Sequence, residues 1–391
     1  MVDQIVEVTE RGYFSRIIES IKGVLVGLVL FIGSFVLLFW NEGRSVQTAK
    51  TLDEGASIVK SVPAHQIDPS NEGKLVHLSG NASTTESLVD EDFGLSVNAL
   101  RLTRSVEMYQ WEQKKEEETR KKLGGGEEKV TKFTYTKVWA RRAIDSSDFK
   151  EPAGHTNPAD MPHKAADRVA QGATMDAFRV PRAVIEKLAK FEALPATEAQ
   201  LAKLTGSVRS RAKVRDSMLY VATDPVTPEV GDFRVSFQLV KPQAISVIAK
   251  QVGNSLAPYQ AQAGEEILLV EHGAVDAAVM FKSAKDANAT LTWVLRLVGW
   301  LAMSMGLTLM LKPIAVVADF IPMVGSFVGF GAFLFSVVLA SALSLVTIAV
   351  AWIAVRPLLG IAVLVCAAGA LAATIAVGVR ARRARKPALL R

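Results

Sequence analysis

The chain has 391 residues, 50% of them hydrophobic and 21% charged, with 45 Lys and Arg against 39 Asp and Glu for a net charge of +6. That charged share is close to the ordinary soluble value of about 25%, which excludes a disordered chain, yet the mean hydropathy is +0.24, so the apolar residues must be segregated. They are: from Asn288 to Val379 the only charged side chains are Arg296, Lys312, Asp319 and Arg356, and an integral membrane protein with a sizeable polar domain is expected. The whole +6 resides at the C-terminus, where Arg380, Arg382, Arg383, Arg385, Lys386 and Arg391 face no acid. A basic surface for nucleic acid is therefore excluded, and the single cysteine, Cys366, excludes an intramolecular disulfide or a thiolate metal cluster.

Residues 1–22 are expected to form a cytoplasmic or interfacial segment. Phe14, Ile17, Ile18 and Ile21 recur at helical spacing among Arg11, Arg16 and Lys22, a pattern that suits an interfacial amphipathic helix or a plain extension of the next element. Residues 23–40 carry no charge and as a helix measure about 27 Å, enough for transmembrane helix 1. Trp40-Asn41-Glu42-Gly43-Arg44 follows without a small-x-small cleavage site, so the span reads as a retained anchor rather than a removed signal peptide.

Residues 41–290 lack long apolar runs and read as one extracytoplasmic α+β domain. Strands are expected at residues 74–78, 218–222, 231–240 and 244–251, and a long hairpin joins residues 100–113 to 129–141 around Gly124-Gly125-Gly126, read as a flexible turn. Residues 183–203 read as helix, interrupted at Pro195, and residues 273–285 as a helix continuing toward the membrane. Residues 291–311 form transmembrane helix 2, and residues 312–322 a cytoplasmic or re-entrant loop. Residues 323–355 form transmembrane helix 3, which as one straight helix measures about 49 Å, well beyond a hydrocarbon core of about 30 Å. Its start, with Gly325, Gly329 and Gly331, is accordingly expected to be kinked, interfacial or re-entrant. Residues 358–379 form transmembrane helix 4 and residues 380–391 a basic tail. The fold class is thus an α-helical membrane protein of four spans, one N-terminal and three C-terminal, bearing a large α+β domain. The Arg-rich tail and Arg11, Arg16 and Lys22 place both termini in the cytoplasm.

Nucleotide, zinc-protease and serine-hydrolase signatures are absent from the sequence, and neither a catalytic residue nor a cofactor is expected. His155, Asp160 and His163 sit in a Pro-rich loop whose spacing does not converge on an ion; a metal- or lipid-dependent enzyme using them is the third choice. Ionisable groups at membrane depth are better leads, because each is costly unless paired or wet. Asp319 either touches headgroups from a loop or pairs with Lys312 or Arg296 in a re-entrant element, the basis of a channel-like alternative. Arg296 most simply snorkels to the interface beside Trp293. Gly23 with Gly27, Gly325 with Gly329, and the stripe Ala332, Ser336, Ala340 and Ser344 follow the small-residue packing pattern, serving contacts within the bundle or between protomers.

Several stretches together resemble the transmembrane protein 43 family, also called LUMA. They are Phe39-Trp40-Asn41-Glu42-Gly43-Arg44, Val106-Glu107-Met108-Tyr109-Gln110-Trp111, His155-Thr156-Asn157-Pro158 and Gly231-Asp232-Phe233-Arg234-Val235-Ser236-Phe237. Asn288-x-x-x-Thr292-Trp293-x-Leu295-Arg296 and Asp319-x-Ile321-Pro322 complete the set. The resemblance implies a membrane protein with a large extracytoplasmic domain, without established catalytic residues. Eukaryotic members sit in the endoplasmic reticulum and inner nuclear membrane, associate with themselves and help organise the nuclear envelope. The Ala- and Arg-rich C-terminal region points to a bacterial member, in an inner membrane with the domain periplasmic; a eukaryotic one would place the domain in the lumen, where Asn81-Ala82-Ser83 and Asn288-Ala289-Thr290 are sequons. The expected function is a non-enzymatic, self-associating membrane scaffold whose partners are the bilayer, other copies of itself and other membrane proteins, with no nucleic acid.

Overall fold

The computed structural model describes residues 3–355. The fourth expected span, 358–379, and the basic tail, 380–391, lie outside the described residues, so the helices seen that are long and apolar enough to cross a membrane are three: α1 (Tyr13–Ile58), α5 (Ala277–Ala318) and α6 (Pro322–Val355). The chain divides into two compact units. One takes residues up to Thr9, Thr51–Glu118 and Lys129–Ala284; the other takes Glu10–Lys50, Thr119–Glu128 and the chain from Lys285. The expected undivided domain at 41–290 is therefore split, and the tip of its hairpin belongs with the helices.

The first unit is β-rich; besides the end of α1 from Thr51 and the start of α5 up to Ala284, its helices are the short α2 (Arg182–Glu186), α3 (Glu198–Leu201) and α4 (Gly206–Arg211). The expected helix over 183–203 survives only at its two ends. Its middle, Glu192–Leu194, extends and pairs antiparallel with a neighbouring strand, Leu194 opposite Phe237; a ladder with tertiary partners outweighs modest helix propensity. Nine strands carry the framework: β1 (Asp3–Arg11), β2 (Leu75–Ser83), β3 (Arg101–Lys121), β4 (Glu127–Ala140), β5 (Ala212–Arg215), β6 (Met218–Val221), β7 (Phe233–Val240), β8 (Gln243–Val252) and β9 (Leu269–His272). One sheet runs β1–β4–β3–β7–β6–β5, with β3 and β7 antiparallel from Arg101 opposite Val240 to Met108 opposite Phe233. In the other sheet β8 pairs antiparallel with both β2 and β9. Alternation decides the faces: along β3, Leu102, Arg104, Val106 and Met108 are buried between half-buried neighbours, as a strand with one covered face requires. Val106, Met108, Val235 and Phe237 from the first sheet and Leu78, Ile245 and Val247 from the second meet in one core with Phe93, Met175 and Phe178.

The second unit contains α1 from Tyr13 to Lys50, α5 from Lys285 and α6. The expected loop at 312–322 is helical as far as Ala318, through Pro313, and only Asp319–Ile321 turn before α6 begins at Pro322. Proline suits that first helical position because its missing N–H is one the helix leaves unpaired anyway. Nor do Gly325, Gly329 and Gly331 interrupt α6, which is continuous over 34 residues. Small residues set the packing instead. A Cβ at Gly27 would lie 2.7 Å from the Gly306 carbonyl oxygen, and one at Gly299 would meet Leu38, so α1 and α5 cross in close contact there. Leu38, Met303, Leu307 and Ala340 form the common core of the three helices.

Candidate functional site

Two polar clusters close the helical unit, one near each end of the apolar stretch of α1, about 39 Å apart at 1.5 Å per residue between Arg16 and Glu42. The first is built where α1 leaves its apolar stretch. Glu42 is 2% exposed. Its Oε1 accepts from Arg296 Nε at 2.7 Å and its Oε2 from Arg296 Nη2 at 2.8 Å and from the indole Nε1 of Trp352 at 2.7 Å. The guanidinium also lies 4.7 Å from the Trp293 ring centre and 5.8 Å from that of Trp352. Arg296 does sit beside Trp293, but held by a buried carboxylate rather than reaching for water. One turn away, Asn41 Nδ2 donates to the Thr292 carbonyl, and Arg44 donates to Asn288 Oδ1 at 2.9 Å and Thr292 Oγ1 at 3.1 Å. The structure thus joins two stretches that are separated by some 250 positions and both carry the family resemblance. α1, α5 and α6 each contribute to the cluster, in one fork-and-indole arrangement.

At the opposite end Asp319, 2% exposed, sits in the turn between α5 and α6. Its partners are neither Lys312 nor Arg296. Oδ2 takes Arg16 Nη2 at 2.5 Å and Oδ1 takes Lys121 Nζ at 2.5 Å, while Lys312 stands exposed on α5. The reason is positional: Lys312 lies on the continuous helix, whereas Arg16 opens α1 and Lys121 ends β3 at the hairpin tip. Arg16 Nε meets Glu127 at 2.9 Å and its Nη1 donates to the Gly125 carbonyl at 2.6 Å. Tyr13 donates its hydroxyl proton to the Val317 carbonyl, the Gly124 N–H donates to Phe320, and Lys122 pairs with Glu10 and Glu128. Gly124 and Gly125 have φ of +83° and +80°, and a Cβ at Gly125 would enter the Tyr13 ring. This turn, expected to be flexible, is seated on the helical end, and glycine is what lets it approach. No re-entrant element is formed around Asp319.

The small-residue stripe turns inward. Ser336 and Ala340 are fully buried and Ser344 is 5% exposed; Ser344 Oγ lies 3.5 Å from Met303 Sδ, and Trp300 donates to Ser341 at 3.0 Å. Ala332 is half-buried, Gly329 touches Ala315 and Gly325 packs on Asp319, while Gly23 has open space around it.

In the β-rich unit His155 and His163 do not converge. His155 stacks on Tyr135 at 3.9 Å, and its ring nitrogens contact the Glu151 carbonyl and Asp3. His163 and Asp160 line an open pocket of about 560 Å³ together with Arg141, Arg142 and Lys164, a cationic surrounding unsuited to a metal ion. Among the described residues no group of His, Cys, Asp and Glu is arranged to hold a metal. Asp232 is spent on Arg211 and the Glu229 N–H, and Asn157 on the backbone of Trp111 and Ile144. Trp352, Lys121 and Glu127 carry no signal in the sequence, Arg16 enters the sequence reading only as an interfacial and topological cation, and Glu42 only within the stretch that carries the family resemblance. One signal was available for Glu42: it ends one apolar run just where Arg296 begins another, and antiparallel neighbours bring such ends together.

A membrane-anchored helical unit with a β-rich domain inserted between its first and second helices is the class these features define. The model of the family described as transmembrane protein 43 matches residues 108–357. Transmembrane protein 43 of Mus musculus is 36% identical over 360 residues, covering 89% of this chain and 88% of that protein; the Homo sapiens protein is 35% identical over 362 residues, covering 90% and 88%. A Drosophila melanogaster transmembrane protein 43 homolog is 31% identical over 354 residues, covering 88% and 92%. No solved structure matches. The chain belongs to the transmembrane protein 43 family.

Proposed function

We propose that the chain is a non-enzymatic membrane scaffold that associates with itself, its helices anchoring it and its β-rich domain supplying contacts to other copies and to other membrane proteins. The observation that carries this reading is how the ionisable groups flanking the helices are used. Arg16, Glu42, Lys121, Glu127, Arg296 and Asp319 close on one another as short ion pairs, an arrangement that fixes helix ends. A permeation or proton path needs such groups open to water and free to change partner. Meanwhile Leu25, Val29, Phe327, Val338 and Leu345, each at least two-thirds exposed, present apolar faces for lipid or for another copy. The run at 358–379 adds a fourth crossing in this reading. The tail at 380–391 then marks the cytoplasmic side, in a bacterial inner membrane or, in a eukaryote, in the endoplasmic reticulum and inner nuclear membrane. Mass measurement in mild detergent over a range of concentrations tests the scaffold. Assemblies larger than one chain are expected, and a monomer at every concentration refutes it.

A further inference from the structure

Beside the Glu42 cluster, within the helical unit, α5 and α6 leave an open slot between them. It holds about 310 Å³, with Trp293, Arg296, Leu297 and Trp300 on one wall and Leu345 and Ile348 on the other. The two helices run antiparallel here: Trp352 shares Glu42 with Arg296, whereas Ser341 meets Trp300. The slot therefore begins at Arg296 and Ile348 and deepens toward Trp300 and Ser341, a run of about 10 Å from Ile348 to Ser341 at 1.5 Å per residue.

Depth gives the slot two unlike ends. Glu42 stands just past the charge-free residues 23–40, so its partner Arg296 marks the border of the hydrocarbon, and Trp300 and Ser341 lie inside it. The inner end presents no unpaired polar group. Trp300 Nε1 donates to Ser341 Oγ, which donates in turn to the Val337 carbonyl, and the Ser344 hydroxyl faces Met303 Sδ. The outer end differs. Arg296 uses Nε and Nη2 on Glu42, and among the described residues neither its Nη1 nor the Trp293 indole N–H has a hydrogen-bond partner. One turn outward, Arg44 donates to Asn41, Asn288 and Thr292, all neutral, and its Nε is buried without a partner. Among the described residues Arg44 forms no ion pair, so two guanidiniums share the single carboxylate of Glu42. Lys285 and Asp286, the next charges along α5, cancel. One positive charge is left over at headgroup level, above an apolar trough.

We propose that the slot binds an anionic glycerophospholipid. Its phosphodiester accepts from Arg296 Nη1 and Trp293 Nε1, one acyl chain lies in the trough between α5 and α6, and its net negative charge offsets that of Arg44. Guanidinium is well suited to phosphate, and basic pockets between membrane helices recognise lipid headgroups in this way. The volume, at the small end of ligand pockets of about 300–1,000 Å³, admits one chain and leaves the other in the bilayer. The site does not depend on self-association.

Native mass spectrometry of the full chain, from micelles holding equal amounts of dioleoyl phosphatidylglycerol and dioleoyl phosphatidylcholine, tests the site. The two lipids share chains and phosphodiester and differ in net charge. Expected is phosphatidylglycerol retained over phosphatidylcholine by about fivefold, the worth of one cation near an anionic lipid, and loss of that preference in Arg44→Gln. Leu345→Trp fills the slot without touching the Glu42–Arg296 pair, and lowers retention about tenfold, as excluding even about two methylenes would. Val338→Trp, at a position of α6 that is as exposed as Leu345 but outside the slot, keeps the wild-type retention. Melting curves in lipid-free detergent identify any variant that fails to fold, and the remaining variants then decide. Equal retention of the two lipids by the wild type, or undiminished retention in a folded Leu345→Trp, overturns the site. So does a disulfide formed on oxidation between Leu345→Cys and Cys366 with no lipid retained, which would mean that residues 358–379 fill the slot.

Discussion

Replacing Glu42 by Gln tests whether the cluster at the end of the first apolar run clamps the helices. Glu42 is 2% exposed and accepts three charge-assisted bonds of 2.7–2.8 Å, two from Arg296 and one from Trp352. The amide offers one oxygen in place of two and turns a donor toward groups that are themselves donors, and it leaves the Arg296 charge buried without a counterion. Breaking one partner of a buried pair costs about 3–5 kcal/mol, so the unfolding constant rises by about two to three and a half powers of ten at 1.4 kcal/mol per decade. Trp352→Phe removes one bond to a charged acceptor and is expected to cost about 1.5–3 kcal/mol. Equilibrium unfolding in mixed micelles, followed by circular dichroism, reads these changes. The decisive comparison is a double-mutant cycle. Glu42→Leu and Arg296→Met each destabilise, whereas together they cost far less than their sum, because no lone charge remains buried. A coupling energy below about 0.5 kcal/mol, the usual scatter for independent sites, would refute the clamp.

Gly27→Ala is expected to destabilise the helical unit by about 1–3 kcal/mol through overpacking, because its Cβ meets the Gly306 carbonyl at 2.7 Å, while Gly23→Ala, with open space around it, leaves the same unfolding curve unchanged. Asp319→Asn strips the counterion from Lys121 and leaves Arg16 with Glu127 alone, and trypsin is expected to cut faster at Lys121 and Lys122 than in the wild type; equal cutting rates count against a seated tip. In a Cys366→Ser background, Leu123→Cys, at an 87% exposed position, is labelled by an impermeant maleimide from the same membrane side as Glu10→Cys, since the tip packs at that end of α1; labelling from opposite sides contradicts the tip contacts. Asp167 is held below its ordinary 3.8 by the two-pronged hydrogen bond from Arg101, with burial opposing. A depressed folded-state pKa gives stability that is present above the unfolded value and lost as pH falls below it. Asp167→Asn is therefore expected to cost under about 1 kcal/mol at pH 7, as suits a half-exposed pair, and nothing once the pH is well below 3.8; an undiminished cost in acid would contradict the assignment.

The division between what local pattern and tertiary contact settle is visible in particular residues. The apolar runs at 23–40, 291–311 and 323–355 are legible because a helix in lipid must satisfy its own backbone, and length with hydropathy suffices to find it. The long hairpin was equally legible, since alternation and a glycine turn are local signals. By contrast, Lys312 and Arg296 stand near Asp319 in sequence, yet Arg16 and Lys121 hold it, because ion pairs form between groups that packing brings together. The same holds for the helix expected over 183–203, whose middle became a strand on meeting β7. The stripe from Ala332 to Ser344 was readable as a close-packing face, but whether it faced another copy or its own chain was not, since small residues serve both equally. What the sequence determined by itself was the segregation of apolar from charged residues, and with it a membrane protein carrying a β-hairpin-containing domain. Only the tertiary structure decided that Glu42 closes on Arg296 and that the hairpin tip is seated between Tyr13 and Asp319, because a buried charge has no preferred partner until the fold removes the water that would otherwise serve.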